Sequence, residues 1–321
     1  MGYSEGMTSQ LKYEVTGVQH PDFPELHRIR ALRYIELNGI AADTLGGFVE
    51  SEANLSQEGT CWIGGDAISR DNSRVLDGAL LKGYVTLSGN AVVQGRAVVD
   101  GWVVVKGNAV IDEGAQIRGD GVITGNAKVS GAARVEGTNY IGDDVRVFGN
   151  ARIRGTAVLA GRTCVYEEGM VIGGSYVSGN VKVGGSAIVL NHAVVSGDVE
   201  LSGSARVESN AVVMGKVKIS GSARVQGDAR VNGDVKISDD VIVGEKSLVT
   251  DNVTLRGFAH LGGSSWVFGD AIIEEYAIVI DSAWVGENAK LTGDAVAKGC
   301  SRVMGTHVLE SETIDGDTRL V

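Results

Sequence analysis

One histidine of this sequence occupies a position where its imidazole could transfer protons. His192 lies three residues after the apolar Val189 and directly follows Asn191, at what the local pattern predicts is a sharp turn. Histidine is the side chain that most often serves as a general base, which removes a proton from a hydroxyl or an amine. The alternative is a solvated turn residue, because position alone is no evidence of a base. Both interpretations stay open at the level of the sequence.

Carboxylates recur at turn positions that are otherwise held mainly by glycine. Aspartates in turns accept hydrogen bonds from nearby backbone groups, which is a sufficient explanation for them. Calcium binding is the alternative interpretation, but the Gly-Gly-x-Gly-x-Asp nonapeptide of calcium-binding solenoids is absent. The residues at these positions are Asp71, Asp77, Glu113, Asp143, Glu167, Asp239, Glu245, Asp251, Glu275, Asp281 and Glu287.

The cysteines and histidines show no spacing that is typical of a metal site. Cys61, Cys164 and Cys300 are odd in number and far apart, with no Cys-x-x-Cys pair, so we predict reduced thiols. His260 and His307 are too distant from His192 along a solenoid to complete a zinc site with it. We therefore predict no metal centre.

The elements that must position these residues follow a six-residue period. From Ile63 to Val303 a mostly apolar residue returns at every sixth position, as in Val93, Val99 and Val105. A second inward position, two residues earlier, is mostly small or branched. Two residues after the anchor stands Gly or a polar residue that tolerates left-handed backbone. Each hexad is thus predicted to be a short strand followed by a corner.

Three such strands would close a triangular coil of eighteen residues. A single hexad cannot bury its apolar side, so about fourteen coils are expected to stack into one all-β solenoid. An α-helical fold is excluded because apolar spacing of 3.6 is absent and 47 glycines would destabilise helices. The predicted divisions are an N-terminal β cap with a leading segment at 1–60, the solenoid at 61–309 and a C-terminal tail at 310–321.

The eighteen-residue period sorts the outward residues into three faces. The first face, from Trp62 onward, is mixed, and the second, from Arg74 onward, is largely basic. The third face is apolar over most of its length, which indicates an interface, although high strand propensity is an alternative explanation. We predict a homo-oligomer, a dimer or a trimer, or a protein partner there. The predicted contact residues are Val104, Val122, Tyr140, Val158, Tyr176, Val194, Val212, Leu248, Trp266 and Trp284.

Composition narrows the classes of partner. The formal net charge of −11 argues against general affinity for nucleic acid. No run of eighteen apolar residues occurs, and Met1–Glu5 lack the basic and then apolar layout of a secretory signal. We expect a cytoplasmic protein without membrane association.

The six-residue pattern resembles the left-handed β-helix of hexapeptide acyltransferases. That resemblance implies trimers that transfer acyl groups from acyl-CoA or acyl carrier protein, with a corner histidine as base, here His192. The segments 46–56 and 59–63, Gly-Gly-Phe-Val-Glu-Ser-Glu-Ala-Asn-Leu-Ser and Gly-Thr-Cys-Trp-Ile, are more specifically similar to YdcK-like repeat proteins of bacteria and phages. Those proteins are often described as acetyltransferases.

Three functions remain open. The first, which we favour, is a non-catalytic scaffold that self-associates or holds a partner through the third face and needs no cofactor. It accounts for the absence of loop insertions, since loops are where catalytic groups concentrate on rigid folds. The second is an acyltransferase that uses acetyl-CoA or another acyl-CoA in a groove between subunits, with His192 as base. The third is an acidic decoy of a charged partner.

Overall fold

The computed structural model describes residues 11–321 and divides them into two compact units, one ending at Ala132 and one running Ala133–Val321. Both units consist of short parallel strands wound into coils, so the predicted all-β parallel β-helix is confirmed. The prediction about a secretory signal concerns Met1–Glu5, which lie outside the described residues. Within residues 11–321, no helix is long and apolar enough to cross a bilayer.

The first unit opens with the predicted β cap. Strands β1 (Tyr13–Gln19), β2 (His27–Ala31) and β3 (Leu45–Val49) pair antiparallel in sequence order. Strand β3 then pairs in parallel with Ile68–Ser69 of the first coil, so the cap covers backbone that would otherwise be unpaired. Two 3-10 helices, Glu36–Asn38 and Glu52–Asn54, connect the cap to the coils.

The remaining strands of the first unit follow the predicted register of eighteen residues. On the first face they are Trp62–Ile63, Leu80–Gly83, Val98–Gly101 and Gln116–Gly119. On the second face they are Arg74–Val75, Val92–Val93, Val110–Ile111 and Lys128–Val129. On the third face they are Ile68–Ser69, Thr86–Leu87, Val104–Val105 and Val122–Ile123.

The second unit repeats the same three faces. The first face holds Arg134–Gly137, Arg152–Gly155, Met170–Gly173, Ile188–Val189, Arg206–Val207, Arg224–Val225, Ile242–Val243, His260–Leu261, Ile278–Val279, Val296–Ala297 and Thr313–Ile314. The third face holds Tyr140–Ile141, Val158–Leu159, Tyr176–Gly179, Leu248–Asp251, Trp266–Val267, Trp284–Val285, Arg302–Val303 and Arg319–Leu320. The second face holds Arg146–Val147, Cys164–Val165, Lys182–Val183, Thr254–Leu255, Ile272–Ile273, Lys290–Leu291 and Val308–Leu309.

Three longer strands of the second unit run through a corner and belong to both the third and the second face. They are Val194–Leu201, Val212–Ile219 and Arg230–Ile237. Glycine holds the corner in each, and at Gly233 φ is 124°, a value that L side chains rarely adopt. In these strands the pairing with the next coil continues on both sides of the corner.

The core of each unit lies inside the coils. The anchors and the residues two positions before them are buried, as for Ala97 and Val99 in the first unit and Ala223 and Val225 in the second. Burial of a valine side chain contributes roughly 1.5 to 3 kcal/mol, so the inward rows supply most of the stabilisation.

The corners between strands turn at residues with positive φ. At the Gly95 corner an added Cβ would lie 2.6 Å from the backbone nitrogen of Glu113, so a side chain there would clash with the next coil.

The C-terminal segment adds strands rather than a polar tail alone. Thr313–Ile314 pairs with Val296–Ala297, and Arg319–Leu320 pairs with Arg302–Val303, each in parallel at a spacing of seventeen residues. The corner is shortened by one residue where the Glu312 carboxylate accepts hydrogen bonds from the backbone N–H groups of Glu310 and Ser311, at 2.7 and 3.0 Å. The same bonds lower the pKa of Glu312.

Candidate functional site

Within the second unit, the predicted contact residues form a ladder along the third face. Tyr140 is in register with Val158, Val158 with Tyr176, Tyr176 with Val194, and Val194 with Val212. The two tyrosines are 40% and 44% exposed, while Val158, Val194 and Val212 are half-buried. The face therefore presents apolar surface with phenol rings standing above it.

One polar coil interrupts this apolar ladder, and an aromatic cluster follows it on the same face. Arg230 and Asn232 are exposed on the third face, followed by the half-buried Leu248. The face then continues with Trp266 in register with Trp284. The second unit thus carries two apolar segments on its third face, separated by one polar coil.

The aromatic cluster is preorganised by contacts among its own members. The ring centroids of Trp266 and Trp284 lie 5.1 Å apart in an edge-to-face arrangement, and those of Trp266 and Phe268 lie 4.4 Å apart. Arg302 places its guanidinium carbon 4.3 Å from the Trp284 ring centroid, a cation–π contact. The Trp266 indole N–H donates to the Thr250 hydroxyl at 3.1 Å. Rings held in this way lose little side-chain entropy on binding.

Of the predicted contact residues, Val104 and Val122 belong to the first unit. They are half-buried and in register with each other on its third face, and Thr86 precedes them in the ladder. Lys106, on the same face, is exposed.

His192 lies at an exposed corner of the second unit, as the repeat predicts. The imidazole is next to Gly174 one coil earlier, where an added Cβ would stand 3.0 Å from Nδ1 and 3.5 Å from the Thr156 hydroxyl. Because Gly174 has no side chain, a small notch is left between the His192 imidazole and the Thr156 hydroxyl, with Gly174 as its floor. Asn210 occupies the same corner one coil later, so the next coil presents an amide to the ring rather than a carboxylate that could orient it.

A groove of about 430 Å³ follows a different corner of the second unit, between the third and second faces. It is lined by Gly161, Arg162, Gly179, Asn180, Gly197 and Asp198. The Asn180 amide donates to the Asp198 carboxylate at 2.7 Å. His192 does not line this groove.

The corner carboxylates connect neighbouring coils by hydrogen bonds, a role that their sequence position only partly indicates. Ten of them accept a hydrogen bond from the N–H of a glycine one coil later, rather than from a local backbone group. At Asp281, which has φ of 59°, the acceptor lies 3.0 Å from the Gly299 nitrogen. The glycines are Gly89, Gly95, Gly161, Gly185, Gly257, Gly263, Gly269, Gly293, Gly299 and Gly305. Among the described residues, no His, Cys, Asp or Glu cluster is arranged to hold a metal ion.

Two buried charged groups escaped the sequence analysis. Glu274, 5% exposed, receives Arg256 from one coil earlier and Lys290 from one coil later on the second face, the latter at 2.7 Å. Burial opposes ionisation of Glu274, but bonds to Lys290 and Arg256 outweigh it and lower the pKa. In the sequence, the eighteen-residue spacing between Arg256 and Glu274 could have indicated this ion pair, because it places the two side chains in adjacent coils on the same face.

The second such group is in the cap. Lys12 of the first unit is fully buried and donates to the Glu58 carbonyl at 3.2 Å and to the Cys61 sulfur at 3.1 Å. Burial lowers the pKa of Lys12 and raises the pKa of Cys61. No sequence spacing indicates this contact, because 49 residues separate the two side chains.

No protein-family model matches the chain, and no curated protein is significantly similar to it. Similar solved structures include the UDP-N-acetylglucosamine acyltransferases of Campylobacter jejuni, Francisella novicida and Arabidopsis, with identities of 18%, 16% and 15%. The aligned parts cover 66%, 66% and 68% of this chain, and 71%, 62% and 71% of those proteins. The TM-scores are 0.29, 0.25 and 0.21. The similarity to YdcK-like proteins stays a prediction.

Proposed function

We propose that this protein is a non-catalytic scaffold that self-associates through the third face of its second unit. The aromatic cluster carries the proposal, because Trp266, Phe268 and Trp284 are fixed against one another on the outside of the fold. Tryptophan and tyrosine are the side chains that most often dominate binding energy at interfaces. The ladder from Tyr140 to Val212 extends the apolar surface on the same face. Self-association is the commonest way in which such a surface is covered.

The experiment is a measurement of mass in solution by light scattering during size-exclusion chromatography. The unmodified protein is expected to elute as a dimer or a trimer. Val158→Asp with Val194→Asp should shift it to the monomer, because two carboxylates would be buried without partners. Ile272→Asp, an equally half-buried position on the second face, is the matched control and should leave the mass unchanged. A monomeric unmodified protein would overturn the proposal.

The notch at His192 supports a second candidate, an acyl-CoA-dependent acyltransferase. The exposed imidazole, with Thr156 across the glycine floor, could hold an acceptor hydroxyl or amine, and a neighbouring copy would supply the other wall. Acetyl-CoA titrated against the purified oligomer, followed by detection of free CoA with mixed acceptors, tests this candidate. Thiol release that is lost in His192→Ala but kept in His260→Ala would support it. Thiol release unchanged in His192→Ala would exclude His192 as the base.

A further inference from the structure

The first face of the second unit brings arginines together in a way that the proposed scaffold does not use. Arg134 is directly in register with Arg152, and Arg206 is directly in register with Arg224. All four side chains are exposed. Like charges directly opposite each other on neighbouring strands are destabilising. In the part of the chain that the structure describes, the ion pairs on this face join only Arg154 to Glu136, at 2.9 Å, and Lys298 to Asp315.

An apolar patch separates the two arginine pairs. Met170 and Ile188 follow Arg152 in the same ladder and precede Arg206. Ile172 and Leu190 stand two residues further along these strands, on the same outward side, and all four are half-buried. The resulting order along the face is paired arginines, two apolar coils, and paired arginines. Glu208 is the one carboxylate beside the second pair.

The spacing of this pattern matches an extended peptide. Four coils separate the centre of one arginine pair from the centre of the other, which at roughly 4.8 Å per coil is about 19 Å. Six residues of extended chain span about 20 Å at roughly 3.3 Å per residue. In such a chain alternate residues face the same way, so acidic residues at i and i+6 would meet the arginine pairs. Apolar residues at i+2 and i+4 would then lie on Met170 and Ile188.

We infer that the first face of the second unit is a docking surface for an extended acidic segment of a partner protein, with the pattern acidic-x-apolar-x-apolar-x-acidic. Each terminal carboxylate pairs with two guanidinium groups, which relieves the repulsion between them. The apolar side chains cover the patch between the pairs. The surface is positive within a chain of net charge −11, so it selects acidic segments by charge complementarity.

The test uses the full-length protein and a fluorescent, acetylated and amidated heptapeptide, Glu-Thr-Ile-Thr-Val-Thr-Glu, with binding followed by fluorescence anisotropy. Saturable binding is expected. Arg206→Glu with Arg224→Glu should weaken it at least about tenfold, which corresponds to about 1.4 kcal/mol. Lys182→Glu with Lys218→Glu makes the same charge change on the second face and should have little effect. A peptide with Gln in place of both Glu residues should bind at least about tenfold more weakly.

Three outcomes would overturn the inference. One is no binding of the heptapeptide, and another is equal weakening by the second-face control variant, which would show general attraction to cations. The third is equal or tighter binding of a single-stranded oligonucleotide that depends on the same arginines. Light scattering on the Arg206→Glu, Arg224→Glu variant separates this surface from the third face, because its oligomer mass should not change.

Discussion

At the scale of single residues, the buried carboxylate of Glu274 is the clearest electrostatic feature of the second unit. Arg256 and Lys290 approach it from the two adjacent coils, so one side chain ties three successive coils together on the second face. The Thr292 hydroxyl also donates to it, at 3.2 Å. Because the folded-state pKa is below the unfolded value, this carboxylate stabilises the fold above the unfolded pKa. That contribution is lost as the pH falls through the folded-state pKa.

Glu274→Gln should therefore lower the free energy of unfolding near pH 7 by about 1 to 2 kcal/mol, a figure reduced because Arg256 and Lys290 are partly in solvent. The difference between variant and unmodified protein should shrink in acid, as the pH falls through the lowered folded-state pKa of Glu274 and the carboxylate takes up a proton. Urea denaturation at neutral and at acidic pH measures it, with the exposed Asp294→Asn as control. A deficit that is the same at both pH values would contradict the role of the charge.

At the scale of the elements, corners combine two separate requirements. The backbone must adopt positive φ, which glycine does most easily, and the N–H of each corner one coil later needs an acceptor. The Asp281 carboxylate accepts the hydrogen bond from the Gly299 N–H, but aspartate adopts the positive φ of this corner less easily than glycine does. Glycine adopts the positive φ easily but has no side chain that could accept the hydrogen bond. Acidic corners therefore connect successive coils outside the strands themselves.

The two requirements predict a rank order of variants at Asp281. Asp281→Asn should be nearly neutral, because an amide oxygen can still accept from Gly299. Asp281→Gly loses the bond but relaxes the backbone, whereas Asp281→Ala loses the bond and keeps the strain, costing about 1 to 2 kcal/mol. Urea midpoints should fall in the order Asn, Gly, Ala. If Gly is as destabilising as Ala, backbone strain contributes little at this corner.

At the scale of the whole molecule, the repeat gives three ladders of outward residues in each unit, and each ladder has its own chemistry. In the second unit the third face is aromatic and apolar, while the first face alternates arginine pairs with an apolar patch. A scaffold needs this separation, because self-association through one face leaves another free to bind a partner. The two proposals therefore make independent demands on separate sets of side chains.

The sequence by itself determined the parallel β-helix, the register of its coils and the face on which each residue lies. It could do so because one short-range rule, an inward residue every sixth position, holds from Ile63 to Val303 and leaves no alternative pairing that buries the apolar rows. The exposed corner of His192 followed from the same rule.

Only the tertiary structure decided which side chains bond to which. The Lys12 and Cys61 contact, the three-coil ion pairing of Glu274 and the packing of Trp266 against Phe268 and Trp284 depend on rotamers and on distances between residues far apart in the chain. A periodic pattern gives each residue a position but not a side-chain direction. The last coil is likewise one residue shorter than the others, which the pairing of Thr313–Ile314 with Val296–Ala297 shows.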